Sequence, residues 1–302
     1  MGKASRSKQR LTTREKIAMQ RAAERRAQVR TRVSLAIGSV VVVVGIVVAF
    51  VVVKATSNGS ASKTTEPTGV ALAKVIHDVT NVPESTLAAV GGGPTSGTGR
   101  VTPPTPMGNQ PALTKNGLPE IVYIGAEYCP FCATERWSMA VALSRFGTFK
   151  NLGVTHSDPN DVYANTSTLT FYKSNYSSKY VVFSPVEETD PNRKPLQNPT
   201  SEQTALLNQY DKPPYVQGQA GAIPFIDIGN KFLVSGASFS PQLLQGKTWN
   251  QISADLSKPS SAIGQSVGGA ANYITAAICT LTKNQPANVC TAPSIKALSG
   301  RL

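Results

Sequence analysis

Ligands for a metal ion are scarce in this sequence, which contains two histidines and four cysteines among 302 residues. Two of the cysteines form a close pair, Cys129 and Cys132, but the other two have ten residues between them. A structural zinc site commonly needs two close pairs of ligands. Neither His77 nor His156 completes a second pair at a suitable spacing, so we expect no metal and no other cofactor.

Acidic residues are also few, with 17 Asp and Glu against 30 Lys and Arg and a net charge of +13. Residues 1–32 hold eleven basic residues and only two acidic ones, so this arm carries +9 and the remaining 270 residues carry +4. We expect the basic arm to set membrane topology and to contact anionic lipid headgroups. Nucleic-acid binding is the alternative for the arm, but we expect no nucleic-acid partner.

Charged residues are absent from residues 33–53 (VSLAIGSVVVVVGIVVAFVVV). As a helix this segment would be about 32 Å long, at ~1.5 Å per residue, and would cross the hydrocarbon core of a bilayer. A signal peptide is the alternative, but its apolar stretch is usually only about 7–15 residues long. The positive-inside rule then predicts a single-pass protein of the cell membrane, with the arm in the cytoplasm and residues 54–302 outside it.

The rest of the chain divides into three parts by composition. Residues 54–69 are rich in Ser and Thr and are predicted to form a flexible tether. Residues 70–117 contain a short amphipathic helix, at 70–81, and then a lead-in rich in Gly and Pro. The organised extracytoplasmic domain is predicted to span residues 118–302.

The close cysteine pair lies in the stretch EYCPFC, between a predicted strand and a predicted helix. Residues 120–124 (EIVYI) have the character of a buried strand. The residues after Cys132 predict a helix that ends near Gly147, with one apolar stripe made of Met139, Ala142, Leu143 and Phe146. Cys129 is therefore expected at the helix N-terminus and Cys132 in the first turn.

This position suits thiol chemistry. A helix N-terminus offers unpaired N–H groups and the positive end of the helix dipole, which stabilise a thiolate. We expect Cys129 to be the nucleophile and Cys132 to resolve the mixed disulfide, while Tyr128 and Phe131 offer an apolar surface to an unfolded client. A zinc half-site and an inert structural disulfide are the alternatives for this pair.

The second pair, Cys279 and Cys290, is predicted to form a structural disulfide. An even number of cysteines in a segment outside the cytoplasm favours disulfides over metal thiolates. A second redox relay is the alternative for this pair.

A second informative stretch, GAIPFIDIGNKFLVSGA, predicts a hairpin. Its strands are expected at 225–228 and 231–234, joined by the turn signal Gly229-Asn230. Pro224 precedes the first strand, where a missing N–H is tolerated. Further predicted elements are strands at 168–173 and 179–186, and helices at 200–210, 248–257 and 261–281.

Together, the strand, Cys129-Pro-Phe-Cys132, the helix and the later Ile-Pro-Phe before a hairpin resemble the thioredoxin superfamily. The resemblance implies an α/β, thioredoxin-like fold in which Cys129 attacks and Cys132 resolves. It also implies a cis peptide bond before Pro224, and it implies that the backbone of Ile223 binds an extended client peptide.

Two features extend the superfamily pattern. Cys132 and Pro224 are 92 positions apart, so an insertion at about 151–215 is expected between the CxxC helix and the cis-proline strand, as a client-binding face. A helical extension is expected at about 241–302.

Two further features depart from the pattern at the cysteines. Glu127 precedes the pair, and a nearby carboxylate would oppose thiolate formation at Cys129, which makes Glu127 a candidate for tuning its pKa. The Pro-Phe dipeptide lacks the histidine of strongly oxidising relatives, so the direction of electron flow stays open.

A closer resemblance is to an uncharacterised prokaryotic family of membrane-anchored thioredoxin-like proteins, a domain of unknown function. The stretches that carry it are IGAEYCPFCATERW, LSRFGTF, PFIDIGN and the C-terminal AAIC…P…VC. It would cover most of residues 70–295. It supports the fold and the topology and implies no particular activity.

The sequence therefore predicts a membrane-anchored extracytoplasmic thiol–disulfide oxidoreductase. Its clients would be exported proteins, bound through mixed disulfides, and its work would be oxidation or isomerisation. Reduction would require a redox partner in the membrane. The alternative is a non-enzymatic envelope binding protein on the same scaffold, with a structural disulfide at Cys129 and Cys132.

Overall fold

The structure, a computed structural model, describes residues 65–216 and 220–302. The predicted basic arm, the predicted membrane span at 33–53 and residues 54–64 of the predicted tether lie outside the described residues. Within the described ranges, no helix combines the length and the apolar character needed to cross a membrane.

The described residues form a mixed α/β fold. Its helices are α1 (Gly69–Thr80), α2 (Glu84–Val90), α3 (Pro130–Ser144), α4 (Ser201–Tyr210), α5 (Trp249–Asp255), α6 (Ala262–Leu281), α7 (Ala287–Cys290) and α8 (Pro293–Ser299). Its strands are β1 (Thr105–Pro106), β2 (Thr114–Lys115), β3 (Leu118–Gly125), β4 (Gly147–Lys150), β5 (Gly153–His156), β6 (Ser167–Thr170), β7 (Asn175–Ser178), β8 (Val182–Glu187), β9 (Phe225–Ile228) and β10 (Phe232–Ser235).

The central sheet is built around β3, the strand that leads to the cysteine pair. This strand pairs with β8 in parallel and with β9 in antiparallel fashion. Beyond β9 the sheet continues with β10 and β1, while β2 pairs with the start of β3. Residues 120–125 of β3 are all buried, as expected for an apolar strand with neighbours on both edges.

The segment 151–215 contributes to the central sheet as well as to the surface. Its last strand, β8, lies beside β3 from the pair Glu120–Val182 to the pair Gly125–Glu187. Its earlier strands take part in two small sheets, in which β4 pairs with β7 and β5 pairs with β6. The end of β8 is thereby brought next to the loop that carries the cysteines.

The four residues of the predicted apolar stripe are buried, as the sequence predicts, but burial extends to most of the remaining residues of helix α3. Thirteen of its 15 residues are buried, because α6, α1 and β6 all pack against it. The helix ends at Ser144, and Gly147 opens β4. Complete burial means that the charged residues Glu135 and Arg136 must find polar partners inside the protein.

The predicted hairpin is present, with Gly229 and Asn230 at φ values of 66° and 57° between β9 and β10. Positive φ at both central residues is typical of the type I′ turn, whose twist matches that of paired strands. The second strand begins one residue later than the sequence predicts.

A disulfide joins Cys279, near the end of α6, to Cys290, at the end of α7, and this is the pairing that the sequence predicts. In the loop-entropy model, closing a loop of this size contributes about 3 kcal/mol. Helix α8 follows the bridge and packs on α6. The disulfide therefore fixes the C-terminal helices against the core.

Glu135 is a fully buried carboxyl group in α3. It accepts hydrogen bonds from the backbone N–H of Ser238, at 2.8 Å, and from the Ser238 hydroxyl, at 3.0 Å. Burial raises the pKa of Glu135 to about 7, although these two bonds act in the opposite direction. Glu135 thus ties the cysteine helix to the loop after β10.

The Glu135→Gln variant tests this assignment through pH. The folded protein holds the Glu135 proton up to about pH 7, against an ordinary pKa of 4.5, so this stabilisation is full at low pH and is lost as pH rises between these values. At about pH 8 the variant should have a higher free energy of unfolding than wild type, by up to about 3 kcal/mol, and the gain should be much smaller near pH 5.

Urea denaturation of both proteins at both pH values measures the effect. Glu202→Gln is the matched control, because Glu202 is an exposed acid. Equal changes at the two pH values would contradict the assignment.

Candidate active site

The cysteine pair lies at the junction of β3 and α3. Cys129 is the N-cap residue of α3, with an extended backbone, and Pro130 occupies the first helical position. The backbone N–H of Cys132 donates a hydrogen bond to the Cys129 sulfur at 3.2 Å. The sulfur of Cys129 thus takes the place of a capping side-chain oxygen.

The two thiols differ in exposure and in the direction of their pKa shifts. A hydrogen bond from the Cys132 thiol lowers the pKa of Cys129, helped by the Cys132 N–H and the charge of Arg136, although burial acts against this. Burial raises the pKa of Cys132 well above its ordinary value, and Cys129 adds to the increase. Cys129 is 5% exposed and Cys132 is 0% exposed. Cys129 is therefore the thiol that ionises first and that is nearer to solvent.

The loop before β9 meets the cysteine pair. The peptide bond between Ile223 and Pro224 is cis, and the Cys129 thiol donates to the Ile223 carbonyl with a sulfur–oxygen distance of 3.6 Å. The carbonyl of Pro224 accepts a hydrogen bond from Gly236 at 2.8 Å, which holds the loop against the end of β10. Two motifs that are 94 positions apart in sequence are thus in contact.

Glu127, the predicted tuning residue, is held by hydrogen bonds from two threonines. Its carboxylate is 7% exposed and accepts hydrogen bonds from the hydroxyl of Thr170, at 2.5 Å, and from the hydroxyl of Thr155, at 3.2 Å. The charge of Arg136 in α3 helps to lower the pKa of Cys129, after the hydrogen bond from the Cys132 thiol. The tuning of Cys129 by Glu127 stays a prediction, and Arg136 is a further candidate for that role.

A buried ion pair beneath the cysteines is the feature that sequence reasoning missed. The Nε and Nη2 atoms of Arg136 donate to the two carboxylate oxygens of Glu187, each at 2.7 Å, and both side chains are fully buried. Nη2 also donates to the carbonyl of Ala126 at 2.7 Å. This one guanidinium therefore links α3, the end of β8 and the cysteine loop.

The sequence contained a signal for Arg136 but none for Glu187. Arg136 lies four residues after Cys132, so both project from the same face of the helix. Glu187 had no such signal, because its partnership depends on β8 lying parallel to β3.

Tyr128 is partly covered instead of forming an open apolar surface. The guanidinium of Arg193 lies 3.9 Å from the centre of its ring, and Arg193 also forms an ion pair with Asp158 at 3.2 Å. The backbone N–H of Asp158 donates to the Tyr128 carbonyl at 2.8 Å. The segment 151–215 therefore encloses this side of the cysteine loop.

Phe131 provides the exposed apolar surface next to the cysteines. Its side chain is 42% exposed and meets the ring of Tyr163 edge to face, with 6.2 Å between ring centres. Val162, the neighbour of Tyr163, is 60% exposed. This apolar surface lies on the side of the CxxC turn formed by the 151–215 segment.

The same region gives no sign of a metal centre. Among residues 65–216 and 220–302, no group of three or more His, Cys, Asp and Glu side chains is placed to hold a metal ion.

A family model described as a domain of unknown function, DUF929, matches residues 107–280, more than half of the chain. The matched range contains the cysteine pair, the Ile223-Pro224 loop and the Arg136–Glu187 pair. No curated protein and no solved structure matches the chain.

The contribution of the buried Arg136–Glu187 ion pair to stability can be tested by mutation. Arg136→Met alone should lower the free energy of unfolding by about 3–5 kcal/mol, because it leaves the Glu187 carboxylate buried without its partner. Arg136→Met combined with Glu187→Gln removes both charges and should recover most of this loss. Urea denaturation of the two variants and of wild type measures the difference.

A matched control is Lys74→Met, which breaks an ion pair with Asp78 whose lysine is 64% exposed. Exposed pairs contribute between about 0 and 1 kcal/mol. A double variant that is no more stable than Arg136→Met would contradict the account of the buried pair.

Proposed function

The chain belongs to the DUF929 family, whose description names no activity, and we propose that it is a thiol–disulfide oxidoreductase with a thioredoxin-like fold. The observation that carries the proposal is the position of the Cys129 sulfur. It lies 3.2 Å from the N–H of Cys132 and 3.6 Å from the carbonyl of Ile223, at a cis-proline loop. A stabilised thiolate beside backbone groups suited to an extended peptide is what disulfide exchange requires.

The architecture supports the fold assignment. The cysteine helix follows the central strand β3, which has a parallel neighbour, β8, and an antiparallel neighbour, β9. The cis-proline loop leads directly into β9. This is the order of elements that the resemblance to the thioredoxin superfamily implies.

In the proposed reaction, the Cys129 thiolate attacks a client disulfide. The client S–S bond breaks, one client sulfur leaves as a thiolate, and a mixed disulfide forms between Cys129 and the other. Cys132 then attacks the Cys129 sulfur, the mixed disulfide breaks, and the client leaves as a thiol while the Cys129–Cys132 disulfide forms. The reverse sequence transfers that disulfide to a reduced client.

The sequence outside the described residues supports an extracytoplasmic location. In this proposal residues 33–53 anchor the protein in the cell membrane, and exported proteins are its clients. Oxidation or isomerisation suits that compartment. Net reduction would need a membrane partner that returns the couple to its dithiol form.

One observation favours a second candidate function. Cys129 is only 5% exposed, and Arg193 covers the neighbouring Tyr128, so access to the sulfur is narrow. Limited access to the Cys129 sulfur would not impair a non-enzymatic envelope binding protein in which Cys129 and Cys132 form a structural disulfide.

The Cys132→Ser variant distinguishes the two functions. Incubated with oxidised glutathione, this variant should accumulate one mixed disulfide at Cys129, because the resolving thiol is missing. Reduced wild type should instead proceed to the internal disulfide. Intact-mass measurement of the full-length chain detects both products.

The matched control carries Ser at both positions and should gain no adduct. If Cys132→Ser gains no adduct either, and the oxidised wild-type pair resists reduction by reduced glutathione, then the pair does not exchange with thiols and the binding-protein alternative is favoured.

A further inference from the structure

Two polar atoms beneath the cysteine pair are buried without a hydrogen-bond partner among the described residues. They are the hydroxyl oxygen of Tyr123 and the Nη1 atom of Arg136, and both side chains are 0% exposed. Polar atoms left unpaired in the interior oppose folding, so most native proteins avoid them. Two such atoms beside a pair of thiols therefore call for a functional explanation.

Both groups lie at the short stretch of backbone that leads into the cysteine loop. The Tyr123 hydroxyl lies against Gly125 so closely that a methyl group on Gly125 would overlap it. Arg136 Nη2 donates to the Ala126 carbonyl at 2.7 Å, and the backbone N–H of Cys129 donates to the same carbonyl at 3.2 Å. The phenol of Tyr123 thus lies at Gly125, and the guanidinium of Arg136 lies at Ala126, the next residue. Both groups meet the start of the cysteine loop.

The resolving step requires that negative charge on the Cys132 sulfur be stabilised inside the protein. Cys132 is 0% exposed, so water does not reach its sulfur when the thiol loses its proton. An ionised thiol inside a protein is stabilised only by donors and positive charge supplied by the protein. Arg136 lies one helical turn beyond Cys132 and supplies the charge, and a backbone hydrogen bond from Ala126 also lowers the pKa of Cys132. No side-chain hydroxyl or N–H group among the described residues donates to this sulfur.

We propose that the Tyr123 hydroxyl donates a hydrogen bond to the Cys132 thiolate during resolution, beside the charge of Arg136. This inference rests on the proposed oxidoreductase function and names a further residue for its second step. Cys132 attacks the Cys129 sulfur, the bond between Cys129 and the client breaks, and the proton lost by Cys132 ends on the released client thiol. Tyr123 keeps its own proton throughout.

The electrostatics of the cluster agree with this geometry. Burial raises the pKa of Tyr123 well above its ordinary value, Arg136 acts in the opposite direction, and Glu187, Cys132 and Cys129 all add to the increase. The phenol therefore stays protonated, as a donor must. Glu187 on β8 is the acidic group that faces Arg136 and offsets part of its charge.

The experiment uses the reduced full-length chain and dithiobis(nitrobenzoate), which reports each exchange by releasing a coloured thiolate. The first release follows the attack of Cys129, and the second follows resolution by Cys132. In Tyr123→Phe the second phase should slow by roughly tenfold or more, the loss expected for a hydrogen bond to a charged group. The first phase should change by less than about twofold, and the pH midpoint of the second should rise.

Thermal unfolding gives a second measurement, in which Tyr123→Phe is expected to show no loss of stability. The Tyr123 hydroxyl has no partner in the described residues, so its removal should leave the melting temperature unchanged or raise it. Tyr176→Phe is the matched control, because the Tyr176 hydroxyl donates to the Leu143 carbonyl at 2.9 Å. This control should melt at a lower temperature and keep both kinetic phases.

The outcomes separate the inference from the proposed function. Two normal phases in Tyr123→Phe, or equal slowing of both phases with a lower melting temperature, would overturn the role of Tyr123 and leave the oxidoreductase proposal intact. If wild type itself released no second thiolate, then resolution by Cys132 and the proposed function would fail together.

Discussion

The buried ion pair of Arg136 and Glu187 is the interaction on which the site depends. Its two 2.7 Å hydrogen bonds join the cysteine helix to β8, and a third bond from the same guanidinium fixes the Ala126 carbonyl in the cysteine loop. A charge with no solvent exposure remains inside a protein only when such partners surround it. Its presence beneath two thiols gives the loop both its shape and its electrostatic environment.

This environment separates two chemically identical side chains. Cys129 lies at the N-terminus of α3, where a hydrogen bond from the Cys132 thiol, the helix N–H groups and the charge of Arg136 favour the thiolate. Cys132 is one turn deeper and fully buried. The pKa of Cys129 is lowered and that of Cys132 is raised. Two thiols whose pKa values are shifted in opposite directions support an ordered exchange. The thiol with the lower pKa attacks first, and the other thiol reacts in the second step.

The features that follow from local sequence were predictable. The capping position of Cys129, the turn at Gly229-Asn230 and the pairing of Cys279 with Cys290 each depend on nearby residues or on a simple count of cysteines. The partners of Arg136 and Glu127 were not predictable, because they come from strands β8, β5 and β6 that tertiary contacts bring to the loop. The burial of α3 on all sides has the same origin, since α6 covers it from the far end of the chain.

The measurement that tests the central claim most directly is the reduction potential of the Cys129–Cys132 couple in glutathione buffers, on the full-length chain. A redox couple should titrate with a potential above about −300 mV, within the range that glutathione can reach, because structural disulfides generally lie below that value. A disulfide that resists reduction throughout this range would contradict the account and would identify Cys129 and Cys132 as a structural bridge.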